Sequence, residues 1–300
     1  MSNEQSSPSD HPDNGSGDVS AASAAVVANR PRSVSARSLE EIAGQLPAAR
    51  VEGAAAVTGI ALSTAAVQPG DLFLAQPGAR THGARFVADA VAAGAVAVLT
   101  DEDGAAILAA TPGQGELPLI VVDGHPRRFL GSLAAWFYGR PAEALKTIGI
   151  TGTQGKTSTT YLVDAARQSV RSGVIGSMGT RIDGVAVPST LTTPEAPQMH
   201  ALLALMRERG VEIVSSEVSS HAITMGRVDG LRFDVGVFFN LGHDNRAFHA
   251  TQQPTLRAKR DRLTTARPGS PLGTSDAGAG RALTAEPNRN PQSFRLPARA

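Results

Sequence analysis

One short segment constrains the fold more than any other. Thr151–Thr157 has the sequence Thr-Gly-Thr-Gln-Gly-Lys-Thr. It follows Lys146–Ile150, which is predicted to be a strand, and it opens a helical pattern predicted from Lys156 to Arg171. A strand, a glycine-rich turn and a helix in this order are typical of a phosphate-binding loop in an α/β protein. We therefore predict an α/β fold with a parallel sheet.

The chemistry of this segment suits a nucleoside triphosphate. Glycines let backbone N–H groups approach phosphate oxygens, and the start of a helix adds partial positive charge. Lys156 can reach the terminal phosphates, and the hydroxyl of Thr157 can ligate Mg²⁺. The strict motif has a glycine where this chain has Ile150, so the match is to a variant, and an ordinary glycine-rich turn is the alternative. The predicted ATP-binding residues are Gly152, Thr153, Gln154, Gly155, Lys156, Thr157 and Ser158.

Length and composition limit the class of protein. The chain has 300 residues, of which 41% are hydrophobic and 18% charged, which suits about two soluble globular domains. The net charge of +1 gives no electrostatic indication of nucleic acid or an acidic membrane. The absence of cysteine excludes disulfides and thiolate catalysis and is compatible with a cytoplasmic protein. No apolar run reaches membrane-spanning length, and the N-terminus does not resemble a secretory signal.

The polar and low-complexity composition of both ends predicts two tails. Residues 1–33 are expected to form a disordered leader, and residues 264–300 a low-complexity tail without a core. Between them we predict an N-terminal α/β domain over 34–142 and a second domain over 143–263.

Alternating strand and helix patterns occur in both predicted domains. In the first, Ala95–Leu99 and Leu117–Val122 are predicted strands, and a helix is predicted around Val87 and Ala90. A second helix is predicted over Arg127–Tyr138, with one apolar face made of Phe129, Leu130, Leu133, Trp136 and Phe137.

The second domain is predicted to be a doubly wound, mostly parallel sheet that binds its ligand at the carboxyl ends of the strands. After the glycine-rich loop, the remaining expected elements are a strand at Val174–Gly176, a polar loop through Pro197, a helix at Met199–Arg209, and strands at Val211–Ser215 and Phe233–Phe239.

Several segments together resemble the Mur ligase family. The loop variant Thr-Gly-Thr-x-Gly-Lys-Thr is shared by Mur ligases and folylpolyglutamate synthetases. Other segments are similar to Mur ligases that add the third amino acid to a UDP-N-acetylmuramoyl dipeptide, and they cover roughly residues 38–263 in the family's order. These segments are Val67–Phe73, Pro77–Gly83, Phe137–Gly139, Leu191–Glu195, Glu217–His221 and Gly226–Gly230.

The resemblance implies a role for particular residues. The N-terminal domain would bind uridine, and the second would bind ATP. Lys156 and a CO₂-carbamylated Lys259 would be catalytic, and Thr157, Glu217 and carbamylated Lys259 would hold Mg²⁺. The implied substrate-binding residues are Thr64, Arg80, Thr81, His82, Thr192, Thr193, Ser219 and Arg227.

Each implied role has a plainer alternative. Thr192 and Thr193 are also ordinary loop residues, since hydroxyl side chains are common in turns. Glu217 is compatible with an exposed carboxylate at the end of a strand. Arg227 is compatible with a solvated surface charge. The same holds for Lys259, because it lies in a basic run.

The implied reaction is an ATP-dependent ligation in peptidoglycan precursor synthesis, in the cytoplasm. A carboxylate of UDP-N-acetylmuramoyl-L-Ala-D-Glu would form an acyl phosphate with the γ-phosphate of ATP, and the amine of meso-diaminopimelate, or of L-lysine, would then displace phosphate. The expected cofactors are ATP and Mg²⁺. The expected partners are these small molecules, with neither nucleic acid nor membrane.

The chain departs from the family pattern toward its C-terminal end. Asn245 stands where a metal-ligating His is usual, Phe239 replaces a usual Thr, and no Asp-Asn-Pro-Arg segment occurs. Because the pattern changes near Leu263, we expect an incomplete second domain that arose from a frameshift or a divergent truncation. A catalytically incompetent fragment that still binds nucleotide or the UDP-muramoyl peptide is therefore an alternative to a working ligase. A folylpolyglutamate synthetase is a third alternative. The segments that resemble a uridine-binding domain argue against it.

Overall fold

The computed structural model describes residues 30–239, except 168, 188 and 190, and the backbone of Leu272–Thr274. Within them it has two sheets and a short ribbon, with helices packed against the sheets. The expected sites at Lys259 and Asn245 lie outside the described residues, as do the leader up to residue 29 and the rest of the C-terminal tail.

The first sheet has five strands in the order β2-β7-β6-β5-β4. Strands β4 to β7 run parallel, and β2 joins the edge antiparallel to β7. The ribbon pairs β1 with β3 antiparallel. The bounds of these strands are Arg37–Ser38 (β1), Arg50–Glu52 (β2), Ala56–Val57 (β3), Gly59–Ala61 (β4), Asp71–Leu74 (β5), Ala95–Thr100 (β6) and Leu119–Val121 (β7).

Four α-helices accompany this sheet, and two of them have side-chain caps. Ser38 forms a capping box with Glu41 at the first helix, and the carboxylate of Asp101 accepts the N–H of Gly104 at the third. The helices are Leu39–Ala43 (α1), Val87–Ala92 (α2), Glu102–Ala109 (α3) and Arg127–Phe137 (α4), with 3₁₀ turns at Thr64–Ala66, Gly83–Phe86 and Pro141–Ala144. On α4, Leu130, Leu133 and Phe137 are buried, and Phe129 and Trp136 pack against the same core.

The second sheet has the order β11-β10-β9-β12-β8-β13-β14. Strands β9, β12, β8, β13 and β14 are parallel, and β10 and β11 extend the edge as an antiparallel hairpin. The strands are Lys146–Thr151 (β8), Ser172–Gly176 (β9), Gly179–Ile182 (β10), Val185–Val187 (β11), Ile213–Glu217 (β12), Val235–Phe238 (β13) and Leu272–Thr274 (β14), and the helices are Lys156–Ala165 (α5), Ala196–Glu208 (α6) and Ser220–Thr224 (α7).

The predicted α/β class with parallel sheets is confirmed, with corrections in the second half. The helix that opens at Lys156 ends at Ala165 rather than at Arg171, because the chain turns there to enter β9. The loop predicted through Pro197 contains the β10–β11 hairpin. Its turn residues Asp183 and Gly184 have φ of 52° and 81°, so an Asp-Gly hairpin signal was present in the sequence.

Helix α6 lies between the two halves of the chain. Its small residues Ala196, Ala201 and Ala204 belong to the core of the first half, whereas Met199, Leu202, Leu203, Leu205 and Met206 belong to that of the second. A helix that is apolar on nearly all sides is expected to be buried. This helix therefore packs the two halves together.

The structure corrects the inner ends of both predicted tails. The guanidinium of Arg30 pairs with the buried carboxylate of Asp71, and the N–H groups of Arg32 and Ser33 donate to Glu208 at 3.0 and 3.1 Å. The leader thus ends before residue 33. At the other end, Leu272–Thr274 pairs with β13 as a parallel strand, although the local composition gives no strand signal.

The helices share one further property. None of those in the described part of the chain combines the length and apolar character needed to cross a membrane.

Candidate nucleotide and substrate site

The strand order places three loops at one edge of the second sheet. Strands β9, β12 and β8 are parallel neighbours, so their carboxyl ends meet at the same edge. The glycine-rich loop follows β8, Ser177 follows β9, and Glu217 ends β12. The candidate site is built from these three chain segments.

The loop after β8 has the backbone shape of a phosphate-binding turn. Gly152 and Gly155 have φ of 147° and 91°, which side chains rarely allow. Gly155 is the N-cap of α5, so the positive end of a ten-residue helix faces the loop. Gly152 is buried, Thr153 and Lys156 are half-buried, and Gln154, Gly155 and Ser158 are exposed.

The ammonium group of Lys156 lies over the loop. Its Nζ donates to the carbonyl of Gly152 at 2.8 Å and to that of Thr153 at 3.2 Å. The side chain therefore folds back across the turn rather than toward bulk solvent. This is where a lysine can neutralise phosphate oxygens bound by the loop.

Two hydroxyls and one carboxylate form a chain across the site. The Oγ atoms of Thr157 and Ser177 are 2.9 Å apart. Ser177 donates its N–H and its hydroxyl to Oε1 of Glu217 at 3.0 and 3.1 Å. Glu217 is 1% exposed, so the plainer alternative of an exposed strand-end carboxylate is wrong.

The donor set at this point is compatible with Mg²⁺. Magnesium prefers hard oxygen ligands and commonly uses one or two carboxylates together with substrate phosphates. Thr157, Ser177 and Glu217 supply two hydroxyls and one carboxylate beside a phosphate-type loop. The described residues contain no group of three or more His, Asp or Glu that could hold a metal by itself.

The loop before α6 is tied to the end of β12. The hydroxyl of Thr193 donates to the carbonyl of Glu217 at 2.9 Å and accepts the N–H of Ser219 at 3.4 Å. Ser219 caps α7 by accepting the N–H of Ala222. Thr193 is buried, and Thr192 and Ser219 are half-buried. The structure thus brings these three predicted residues together.

Arg227 is held beside this loop. Its Nη1 donates to the carbonyl of Thr193 at 3.3 Å, and its Nε lies 2.8 Å from Oε1 of Glu195. The other oxygen of Glu195 accepts from Arg127 at 3.0 Å. Arg227 has a side-chain exposure of only 13%, so it is not a freely solvated surface charge.

A buried histidine supports the turn that carries Arg227. Nε2 of His200 lies 3.0 Å from the carbonyl of Asp229, which requires that nitrogen to donate. Burial lowers the pKa of His200 to about 4, and the bond to Asp229 opposes part of that decrease. His200 is therefore neutral near pH 7.

The predicted uridine-proximal residues lie at one end of the first sheet. Thr64 follows β4, and the segment containing Arg80, Thr81 and His82 follows β5. These strands are parallel neighbours, so both segments leave the same edge. Arg80 and Thr81 are exposed and Thr64 is half-buried.

His82 differs from its neighbours because both ring nitrogens bind within the protein. Nδ1 accepts the N–H of Ala84 at 3.0 Å, and Nε2 lies 3.0 Å from the carboxylate of Asp101. The acceptor role of Nδ1 places the proton on Nε2, which donates to Asp101. The ring thus fixes the turn after β5, and its role in substrate binding remains a prediction.

Sequence reasoning did not single out three of the residues in this site. Glu195 stood at the end of a family-like segment but received no role, and Ser177 had only its place after a short apolar run as a signal. Nothing in the local sequence indicated Arg127. Lys259 and Asn245, at positions where the family resemblance implies metal ligands, lie outside the described residues.

Fold and site together define an α/β protein with a glycine-rich turn of the P-loop type between β8 and α5. Comparison with known families makes this more specific. Residues 56–138 match the family described as "Mur ligase family, catalytic domain", and residues 150–269 match "Mur ligase middle domain". These ranges together cover more than half of the chain, which belongs to the Mur ligase family.

Two similar proteins of Streptomyces have the same name. The chain is 50% identical over 258 residues to a UDP-N-acetylmuramoyl-L-alanyl-D-glutamate--2,6-diaminopimelate ligase of Streptomyces avermitilis, and 46% identical over 258 residues to that of Streptomyces coelicolor. Each alignment covers 86% of this chain and 50% of the relative. The chain therefore spans about half the length of these relatives.

Solved structures support the fold. A ligase structure of the same name matches with a TM-score of 0.59 and 23% identity, covering 79% of this chain and 48% of that one. The MurF ligase of Thermotoga maritima in complex with ADP matches with a TM-score of 0.54 and 19% identity, covering 79% and 50%. At these identities the likeness is one of fold.

Proposed function

We propose that this chain carries the nucleotide-binding and muramoyl-substrate-binding half of a ligase that adds meso-diaminopimelate to UDP-N-acetylmuramoyl-L-Ala-D-Glu. The observation that carries the proposal is the convergence of Lys156, Thr157 and Glu217 at one sheet edge. The names of the Streptomyces relatives support diaminopimelate, and L-lysine is the other amino acid to test. A cytoplasmic location is part of this proposal.

In the proposed mechanism the protein mainly positions and neutralises charge. The loop from Gly152 to Ser158 binds the phosphates of ATP, and the ammonium of Lys156 compensates charge on the γ-phosphate. A carboxylate oxygen of the substrate's D-Glu attacks the γ-phosphorus, and ADP leaves. The amine of the incoming amino acid then attacks the acyl carbon, loses a proton, and phosphate leaves.

Thr157, Ser177 and Glu217 would hold Mg²⁺, which would supply charge neutralisation. Arg227, with Thr192 and Ser219 nearby, would bind the nucleotide-peptide. Thr64, Arg80 and Thr81 would contact the uridine. His82 would hold in place the turn after β5 that carries Arg80 and Thr81. A carbamylated Lys259 remains a proposal from family resemblance alone.

Nucleotide binding is the direct test. Isothermal titration with ATP and Mg²⁺ is expected to give saturable binding to the chain, and Lys156→Ala is expected to abolish it. Lys146→Ala is a matched control, because Lys146 is exposed at the start of β8, the strand that precedes the loop. Equal affinity in Lys156→Ala and the control would refute the P-loop assignment.

Turnover separates ligase activity from binding alone. Phosphate release that depends on both UDP-N-acetylmuramoyl-L-Ala-D-Glu and diaminopimelate would support the ligase. Saturable binding of ATP and of the UDP-linked dipeptide, without such turnover, would favour the binding-only alternative for this polypeptide.

A further inference from the structure

Arg127 and Glu195 connect the two halves of the chain beside Arg227. Arg127 is the first residue of α4, which packs with the first sheet, whereas Glu195 precedes α6. Nη1 of Arg127 is 3.0 Å from Oε2 of Glu195 and also donates to the carbonyl of Met225 at 2.9 Å. Arg127 therefore binds both the loop before α6 and the turn that leads to Arg227.

The carboxylate of Glu195 lies between two guanidinium groups. It contacts Arg127 through Oε2 and Arg227 through Oε1, and the three side chains are 13–22% exposed. Two cations and one anion leave a formal charge of +1. Such a partly buried cluster attracts an additional anionic group, and a carboxylate suits the planar guanidinium.

The remaining contacts of Arg227 leave one side of its guanidinium for a ligand. Nε lies 2.8 Å from Oε1 of Glu195 in an ion pair without a hydrogen bond, and Nη1 donates to the carbonyl of Thr193. Among the described residues, Nη2 has no hydrogen-bond partner. The hydrogen bond of Nη1 to Thr193 and the ion pair with Glu195 together orient the guanidinium group.

Contacts with α4 and α6 also fix the turn that carries Arg227. Gly131 of α4 packs so closely that an added Cβ would lie 2.5 Å from the backbone oxygen of Asp229. His200 of α6 donates to that same oxygen. The backbone of the turn is therefore set by packing between the two halves, whereas the Arg227 side chain is set by Glu195.

We infer that Arg127 and Glu195 are positioning residues that hold Arg227 toward a carboxylate on the peptide part of a nucleotide-linked substrate. The inference rests on the proposed function. It assigns to α4, in the uridine-type half, an indirect part in recognising the peptide, through Glu195 and Arg227. The ion pair Arg127–Glu195 thereby couples the two halves of the substrate site.

The test compares two ligands on the same protein. Isothermal titration is done with UDP and with UDP-N-acetylmuramoyl-L-Ala-D-Glu, and the ratio of the two dissociation constants measures the preference for the peptide-bearing ligand. Arg127→Met and Glu195→Gln are each expected to reduce this preference on the order of tenfold while UDP affinity is retained. The double variant is expected to match the Glu195→Gln variant, because both changes break one chain of contacts.

The matched control is Arg128→Met, which removes the same charge from the adjacent, exposed position. It is expected to leave both affinities unchanged. Thermal melts of all variants separate positioning from unfolding, and Glu195→Gln, which preserves the side-chain shape, carries the test if Arg127→Met unfolds.

The outcomes distinguish the inference from the function on which it rests. Variants that keep the full preference would overturn the positioning role, and so would a parallel loss of both affinities with a lowered melting temperature. Wild-type protein that binds UDP without preferring the peptide-bearing ligand would overturn the substrate assignment, and the inference with it.

Discussion

The carboxylate of Glu217 lies against the Cα atom of Gly176. A Cβ added at Gly176 would be 2.3 Å from Oε1 and 3.0 Å from Cδ of Glu217, which is closer than nonbonded atoms approach. The glycine at the end of β9 therefore leaves the space in which Glu217 reaches Ser177. The absence of a side chain at Gly176 in β9 therefore determines where the carboxylate of Glu217, in the neighbouring strand β12, lies.

Gly176→Ala is expected to displace Glu217 with little loss of stability, because a flexible side chain can move away. The affinity for ATP in the presence of Mg²⁺ should fall on the order of tenfold or more, since groups that orient a metal ligand commonly have effects of this size. Titration with and without Mg²⁺ measures the change. Gly115→Ala, at an open position, is the control, and an unaltered magnesium dependence in Gly176→Ala would contradict the proposed metal site.

Gly131→Ala is expected to destabilise the protein although it lies in a helix. Alanine normally stabilises a helix by about 1 kcal/mol relative to glycine. Here the added Cβ would lie 2.3–2.6 Å from Cβ, O and C of Asp229, and overpacking of this kind costs about 1–3 kcal/mol. Urea unfolding measures the sign of the change in the free energy of unfolding. Gly44→Ala, with φ of −61° and ordinary contacts, should be neutral or stabilising.

Removal of the Arg30 side chain is expected to leave the buried carboxylate of Asp71 without its cation. Asp71 is 0% exposed and the Arg30 side chain 14%, and breaking a buried pair costs about 3–5 kcal/mol. Arg30→Met should therefore lower the free energy of unfolding far more than Arg32→Met, whose side chain is exposed. Adding Asp71→Asn should recover part of the loss. Equal stability of the two single variants would show that Arg30, at the inner end of the predicted leader, does not stabilise the fold.

The stability of the protein is expected to decrease between pH 6.5 and about 4 because of His200. Burial lowers its pKa to about 4 in the folded state, so in this window the unfolded chain binds the additional proton. The free energy of unfolding then falls as pH decreases, by about 1.4 kcal/mol per pH unit from this group. The contribution is complete above pH 6.5.

His200→Gln should flatten this dependence, because glutamine can donate to Asp229 without titrating. Urea unfolding at several pH values measures the slope. His125→Gln, at an exposed histidine, should keep the wild-type slope. Parallel slopes for His200→Gln and wild type would show that His200 is not buried in neutral form.

Local patterns predicted the elements of the site well. The strand before the loop, the start of helix α5 at Lys156 and the strand ending near Glu217 follow from apolar spacing and glycine placement. The predicted helix end at Arg171 was wrong: the helix ends at Ala165, where no side-chain cap marks the end and helical spacing continues into Arg167. The hairpin at Asp183 and Gly184 was missed, although its Asp-Gly turn was visible.

The sequence by itself determined the α/β class, the position of the phosphate loop and the family, because each depends on residues a few positions apart. Only the tertiary structure placed Ser177 between Thr157 and Glu217, since that contact requires β9, β12 and β8 to be neighbours. It alone joined Arg127 to Glu195, which are 68 positions apart. Such contacts depend on how strands are ordered and how two halves pack, and neither is written in local spacing.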